Sequence, residues 1–319
     1  EMRRFEGHSD FVTSIAFTPD GRSALSGSYD GNLIRWDLKT GDIIHRMVAN
    51  AGVYTVVISP DGRTALSNAS NDVILWDLET GEEIQRMEGH ITGVVGFAFS
   101  PDGQFGLSGD LNGEVRVWDL EAGEELERFN DHSGTTTHMN FNADGHTFIS
   151  SSADTTLRLW SLKNGAEVRR FSDHDSGIAD IVYSPDGLSA ISLDSGVLHV
   201  WNLETGSEIH RIELPAKFTR VAYSPDGHTA LLAPFDGRGG VIQLDLTTGA
   251  QIQCLGVEGE LAEHPGKVSA IAVSLDGKMA LSGALGTATD ESSDIRTLTL
   301  WDLESGEALV RFQTGAVFS

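Results

Sequence analysis

The chain has 319 residues, is 39% hydrophobic and sets 22 Lys and Arg against 47 Asp and Glu, a formal net charge of −25. It is long enough to bury a sizeable core and too apolar for disorder. A field of that sign repels phosphate backbones and anionic lipid heads, so nucleic acid and membrane surfaces are set aside and a basic protein partner suits the charge.

No apolar run approaches the roughly 20 residues of a spanning helix, and no signal-like segment opens the chain. Cys254 is the only cysteine, which excludes an intrachain disulfide and a cysteine-based zinc site and suits a reducing, cytoplasmic compartment. The chain begins at Glu1 rather than Met, so it is expected to be a piece of a longer protein.

From the start of the chain the elements read as strands. "FVTSIAF" (11–17), "SALSGS" (23–28), "NLIRW" (32–36) and "DIIHRM" (42–47) are short runs rich in Val, Ile, Leu, Phe, Thr and Ser, separated by "PDG", "YDG" and "TG". Glycine after Asp suits the positive φ of a tight hairpin turn. The pattern then repeats. A tryptophan recurs at 36, 76, 118, 160, 201 and 301, with Leu244 in the same frame, so that steps of 40 to 43 residues are followed by a last one of 57. A second marker keeps phase with it: "TPDG" at 18, "SPDG" at 59, 100, 184 and 224, "NADG" at 142 and "SLDG" at 274. Seven units of four strands follow, with no sustained helical period. A sheet of about 40 residues cannot bury both faces alone, whereas seven packed radially can. The expected fold is all-β, a seven-bladed β-propeller of four-stranded antiparallel blades, and residues 1–319 are read as a single domain.

The spacing, the Gly-His near the start of units, the Asp in the third turn and the terminal Trp-Asp resemble the WD-repeat (WD40) family. The resemblance covers essentially the whole chain and implies a hydrogen-bonded set of His, Ser or Thr, Asp and Trp inside each blade. The first unit offers His8, Ser26, Asp30 and Trp36, and the fourth His132, Ser150, Asp154 and Trp160. The third has His90, Ser108 and Trp118, with Asn112 where Asp is expected. The fifth has His174, Ser192, Asp194 and Trp201, and the seventh His264, Ser282 and Trp301, with Asp294 as a shifted partner. Unit two has Asn50 in the His frame and unit six lacks both His and Trp, so these two blades are expected to be the least rigid.

Ser, His and Asp recurring together could be a nucleophilic triad or a structural network. Repetition favours the network, because catalysis needs one site and a blade needs its internal bonds every time. No phosphate loop, paired metal-ligand motif or dinucleotide fingerprint occurs, so no enzyme, metal or cofactor is expected. A propeller enzyme with an unrecognised channel site and a purely structural or self-assembling propeller are the alternatives.

Function is sought where the units differ. In a meander the "PDG" and "TG" turns share one rim, and they are nearly uniform. The opposite rim carries the His-containing links and the turns after the second strands. There "VEGELAE" before His264 is about six residues longer than its counterpart before His90, "GALGTATDESSDIRTLTL" after Ser282 is about nine longer than its counterpart, and "PFDGRGG" (234–240) departs too. These insertions of units six and seven hold Asp236, Glu258, Glu260, Glu263, Asp290, Glu291 and Asp294, with Arg238 as the exception. Such a patch suits a basic protein segment; a calcium ion is the alternative ligand, and a solvated loop without a partner the plain one. Phe11, Tyr29 and Tyr54 sit at the same rim in units one and two and could anchor a peptide. The reading is a monomeric, non-catalytic protein-interaction scaffold.

Two segments compete for the outer strand of the last blade, "EMRRFEGH" at the start and "EALVRFQ" at 307–313. The expectation is closure by the N-terminal strand, Met2 to Phe5. The surplus strand hints at a domain preceding the propeller.

Overall fold

A computed structural model describes residues 5–235, 240–255, 266–274, 276–286 and 295–315. The 28 strands, β1 to β28 in chain order, group in consecutive fours into seven four-stranded antiparallel sheets. The fold is a seven-bladed β-propeller. By internal packing the chain divides into two units, one ending at Ser172 with blades one to four and one beginning at Asp173 with blades five to seven.

Blade one shows why these residues form this unit. β1 (Val12–Phe17), β2 (Ser23–Ser28), β3 (Asn32–Asp37) and β4 (Ile43–Val48) pair in order, and every residue of β2 is buried while β4 is largely exposed. Hence the second strand is small and uncharged, while the fourth carries His45 and Arg46 among its aliphatic side chains. One register shift recurs in the last hairpin of every blade, immediately before Trp36, Trp76, Trp118, Trp160, Trp201, Leu244 and Trp301. The bulge increases the local twist at the residue that carries the core side chain.

The uniform rim is built by turns that lean on one another. In the "WDLxTG" turn the Asp is the cap: Asp37 Oδ1 accepts from the amides of Lys39 and Thr40, and Asp77, Asp119, Asp245 and Asp302 repeat the arrangement. In the "SPDG" turn Ser59 Oγ donates to Asp61 Oδ1 at 2.6 Å, and that oxygen also accepts the amide of Arg63. Gly62, at φ +73°, faces Pro19 of the preceding blade so closely that a Cβ would meet Pro19 Cδ at 2.9 Å. The Gly103–Pro60 and Gly145–Pro101 neighbours repeat this with more room, and Gly227–Pro185 and Gly277–Pro225 do so in the second unit.

The expected closure is corrected. The outer strand of blade seven is β28 (Ala308–Gly315), paired along its length with β27 (Ile295–Asp302) from Ile295↔Gly315 to Trp301↔Ala308. Met2, Arg3 and Arg4 lie outside the described residues, while Phe5 is in no strand and sets its ring edge-on to Trp36 at 5.5 Å. The physical reason is local. The turn at 302–306 has the same Asp cap and the same bulge before Trp as the other blades, so the hairpin closes over a few residues instead of nearly the whole chain. Hydrogen–deuterium exchange should therefore find the β28 amides that face β27 protected, at the level of the outer strands of blades one to five; free exchange throughout 308–313 would contradict the pairing.

Candidate binding rim

One serine ties the interior of every blade but the sixth. Ser26 Oγ accepts Trp36 Nε1–H at 2.8 Å and bonds His8 Nε2 at 2.7 Å, while His8 Nδ1 lies 2.9 Å from Asp30 Oδ2. In blade four Ser150 meets Trp160 at 2.8 Å and His132 at 2.8 Å, and His132 Nδ1 lies 3.1 Å from Asp154 Oδ2. In blade five Ser192 takes Trp201 at 2.7 Å and His174 at 2.6 Å. There Asp194 caps the turn instead, accepting the amides of Gly196, Val197 and Asp175. In blade seven Trp301 donates to Ser282 at 2.7 Å; His264 and Asp294 lie outside the described residues.

Blade three corrects the sequence expectation. His90 and Trp118 meet on Ser108 at 2.6 and 2.7 Å, but the buried carboxylate beside the histidine is Asp110, not the Asn112 frame position. Asp110 Oδ1 accepts the amides of Asn112 and Glu114 at 2.9 Å, and Thr92 Oγ1 donates to its Oδ2 at 2.7 Å. A signal was present: Asp follows the serine by two residues in both blades three and five, at Ser108–Asp110 and Ser192–Asp194.

The two incomplete blades are incomplete differently. Blade two keeps the pair, Trp76 to Ser67 at 2.9 Å, and Asn68 Oδ1 accepts the amides of Tyr54 and Thr55 while its Nδ2 donates to Gly52 O. Blade six places leucine in three of the four frame positions: Leu214 for His, Leu232 for Ser and Leu244 for Trp. All three join one apolar cluster with Phe218, Val221 and Ile242. Replacing both partners of a buried hydrogen bond by apolar groups is close to neutral, whereas replacing one orphans the other.

A second recurring device has no fixed place in the repeat. Four guanidinium groups donate to the carbonyl of the residue before the link histidine: Arg46 to Gly7, Arg116 to Gly89, Arg158 to Asp131 and Arg211 to Asp173. The first and last come from fourth strands and the other two from third strands, so no single position marks them. Buried Arg116 and Arg158 are balanced by Glu125 and Glu167 respectively, and the same nine-residue spacing links His199 to Glu208 at 2.6 Å.

These anchors hold a rim in the first unit where each link rests on the preceding turn. Tyr29 N donates to Phe11 O at 3.0 Å, Val53 N to Ser28 O at 2.9 Å, Val94 N to Ser70 O at 3.1 Å, Leu111 N to Gly93 O at 3.1 Å, and Thr135 Oγ1 to Leu111 O at 2.9 Å. Along it stand exposed apolar side chains: Phe11 (58%), Tyr29 (46%), Tyr54 (48%), Ile91 (77%) and Leu111 (51%). The rings of Tyr29 and Tyr54 meet edge to face at 5.3 Å across the boundary of blades one and two. The structure thus brings together the three aromatic residues named from the sequence and adds Ile91 and Leu111, which follow His90 and Asp110. Asp236, Arg238, Glu258, Glu260, Glu263, Asp290, Glu291 and Asp294 lie outside the described residues.

Three segments, residues 1–37, 81–119 and 123–161, match the family model described as WD domain, G-beta repeat, and each carries the Trp–Ser pair just described. These three segments are WD repeats in a seven-bladed propeller. Among curated relatives it is 34% identical over 71 residues to the small ribosomal subunit protein RACK1y of Oryza sativa subsp. japonica, 22% of this chain and 21% of that one. It is 55% identical over 40 residues to RACK1z of the same rice, 12% of each chain. The chain therefore spans about a fifth and about an eighth of the length of these relatives. A solved structure, the computationally designed Ika8 protein, superposes with a TM-score of 0.80 at 24% identity over 97% of this chain and 88% of that chain, a likeness of fold.

In the propeller's blades, burial and hydrogen bonding shift His132, Asp154 and Asp30. Burial pushes the His132 imidazole below its ordinary value, with Asp154 opposing it. Burial would raise Asp154, but bonds from Thr156 and the amide of Ser133 outweigh it and hold the carboxyl at about 2; Asp30, bonded by the amide of Ser9 and by His8, is likewise held at about 2 against burial. Folded values below the ordinary 3.8 stabilise the fold above about pH 4, and that contribution is lost as pH falls towards 2. Asp154→Asn should flatten this part of the stability–pH curve measured by urea unfolding. Ser150→Ala should lower stability at pH 7 by about 2–5 kcal/mol, because it orphans Trp160 Nε1 and His132 Nε2 together.

Proposed function

We propose that this propeller is a non-catalytic scaffold that binds a protein partner through the rim carrying its His-containing links. The observation that carries the reading is the row of exposed apolar side chains from Phe11 to Leu111 on blades one to three. Monomers rarely leave large apolar groups in a row on a rigid frame unless something covers them. The segments that bear them, 5–11, 28–32, 49–55, 69–72, 88–94 and 110–114, expose Glu6, Asp10 and Glu88, half-expose Asp72 and contain no Lys or Arg. A basic segment with aromatic or aliphatic anchors complements such a surface: its apolar groups supply affinity, and the opposite charges favour its approach.

The acidic insertions of blades six and seven, with Asp236, Glu258, Glu260, Glu263, Asp290, Glu291 and Asp294, are proposed as a second contact on the same sequence grounds as before. Support for scaffolding also comes from the WD repeats and from the rice relatives, whose names make them components of a ribosomal subunit, an assembly. The histidine, serine and aspartate sets are spent on the blades' own indoles, which leaves them no reacting atom to serve. A monomer resident in the cytoplasm completes the proposal.

The test is affinity capture with the whole chain, the partner identified and its Kd measured. Tyr54→Ser with Leu111→Ser should weaken binding by at least about tenfold while the melting temperature holds, and raised salt should slow association. A partner retained by this variant and by the charge-reversed Glu258→Lys, Glu260→Lys, Asp290→Lys chain would reject the reading.

A further inference from the structure

Blade three differs from its neighbours in one chemical respect. In blades one and four the link histidine's Nδ1 bonds a single Asp, and the residue four before the Trp is Asn32 or Thr156, whose own polar groups also bond that Asp. Blade three has Glu114 in that frame, so two carboxylates converge on one imidazole. His90 Nδ1 lies 3.4 Å from Asp110 Oδ2 and 3.2 Å from Glu114 Oε1, with the His90 and Asp110 side chains both 0% exposed. Yet His90 Nδ1 meets hydrogen-bond geometry with neither oxygen and has no other partner. The three ligand atoms all lie within 4.8 Å of one another, the one such grouping of three His, Cys, Asp or Glu among the described residues.

The local charge is not balanced by protein. Arg116 bonds Glu114, Glu125 and the Gly89 carbonyl, and Arg128 pairs with the same Glu125, so three carboxylates, Asp110, Glu114 and Glu125, face two guanidinium groups and one formal negative charge is left over. A buried imidazole nitrogen with no hydrogen-bond partner, set between two carboxylates, is suited to a cation.

We propose that His90 Nδ1, Asp110 Oδ2 and Glu114 Oε1 bind one divalent transition-metal ion of the zinc class, with water completing the coordination. Zinc takes nitrogen and carboxylate ligands at about 2.0–2.2 Å, which in tetrahedral array sets neighbouring ligand atoms about 3.4 Å apart, close to the two spacings observed at the histidine. Imidazole nitrogen favours such an ion over calcium or magnesium, which prefer oxygen throughout. The supporting contacts are in place. Metal on Nδ1 puts the imidazole proton on Nε2, where Ser108 Oγ accepts it at 2.6 Å, and Asp110 is oriented by Thr92 and by the amides of Asn112 and Glu114. Entry is from the side of Glu114, the partly exposed ligand. No short-range motif signals the site, because the ligands come from a link, a turn and a strand brought together by the blade.

Calorimetric titration of the chelator-treated whole chain with ZnCl₂ should give one Zn²⁺ per chain with a Kd of about 1 µM or tighter, and zinc should raise the melting temperature. Glu114→Gln keeps an acceptor for Arg116 and should weaken binding at least about tenfold with the metal-free melting temperature near the parent's. X-ray absorption on the zinc-loaded parent, which depends on no variant, should give an imidazole-containing nitrogen and oxygen shell. Absence of stoichiometric binding, binding unaffected by Glu114→Gln, or a sulfur ligand from Cys254 would each overturn the assignment.

Discussion

Six buried indole N–H groups need an acceptor, and one serine hydroxyl meets each at 2.7–2.9 Å: Ser26, Ser67, Ser108, Ser150, Ser192 and Ser282. An unpaired indole N–H in these interiors would cost about 1–3 kcal/mol, so the pair binds the second strand to the third in every blade that has a tryptophan. Other features follow from it. Because the serine oxygen also meets His8, His90, His132 or His174, the link from the previous blade is drawn inward, and the arginines then hold the carbonyl just before each of these histidines. The rim stands on that chain of contacts.

Where the pair is absent, it is absent entirely. Blade six has leucine at the His, Ser and Trp positions, 214, 232 and 244, and all three belong to one apolar cluster. Blade two loses the histidine but keeps Ser67 and Trp76, and Asn68 bonds the link backbone from the neighbouring strand position. A blade can instead drop the polar set together, and then no buried group is left unsatisfied.

Much of the fold was legible because its signals are local and repeated. Tryptophan spacing, the "PDG" and "TG" turns and strands of alternating character define seven four-stranded units without any distant contact. The error at the chain ends has the same origin: "EMRRFEGH" resembles an outer strand, but only pairing decides which segment occupies the edge, and β28 does so through an ordinary hairpin. Of the rim residues, Phe11, Tyr29 and Tyr54 are legible as aromatics in links and turns, whereas Ile91 and Leu111 are not, because a single aliphatic in a loop carries no signal until its exposure is known.

The sequence by itself determined the number of blades, their four-strand order, the turn chemistry and the serine–tryptophan pairs, since each depends on residues within one unit of about 40. Tertiary structure alone decided what depends on atoms from separate elements. The carboxylate beside His90 is Asp110 rather than a residue at the Asn112 position, Glu114 joins it, and the link carbonyls are held by arginines from two different strands. The physical reason is that a repeat frame specifies positions along the chain, while hydrogen bonding and metal ligation depend on distance and angle, which a shift of two residues in a turn can satisfy equally well.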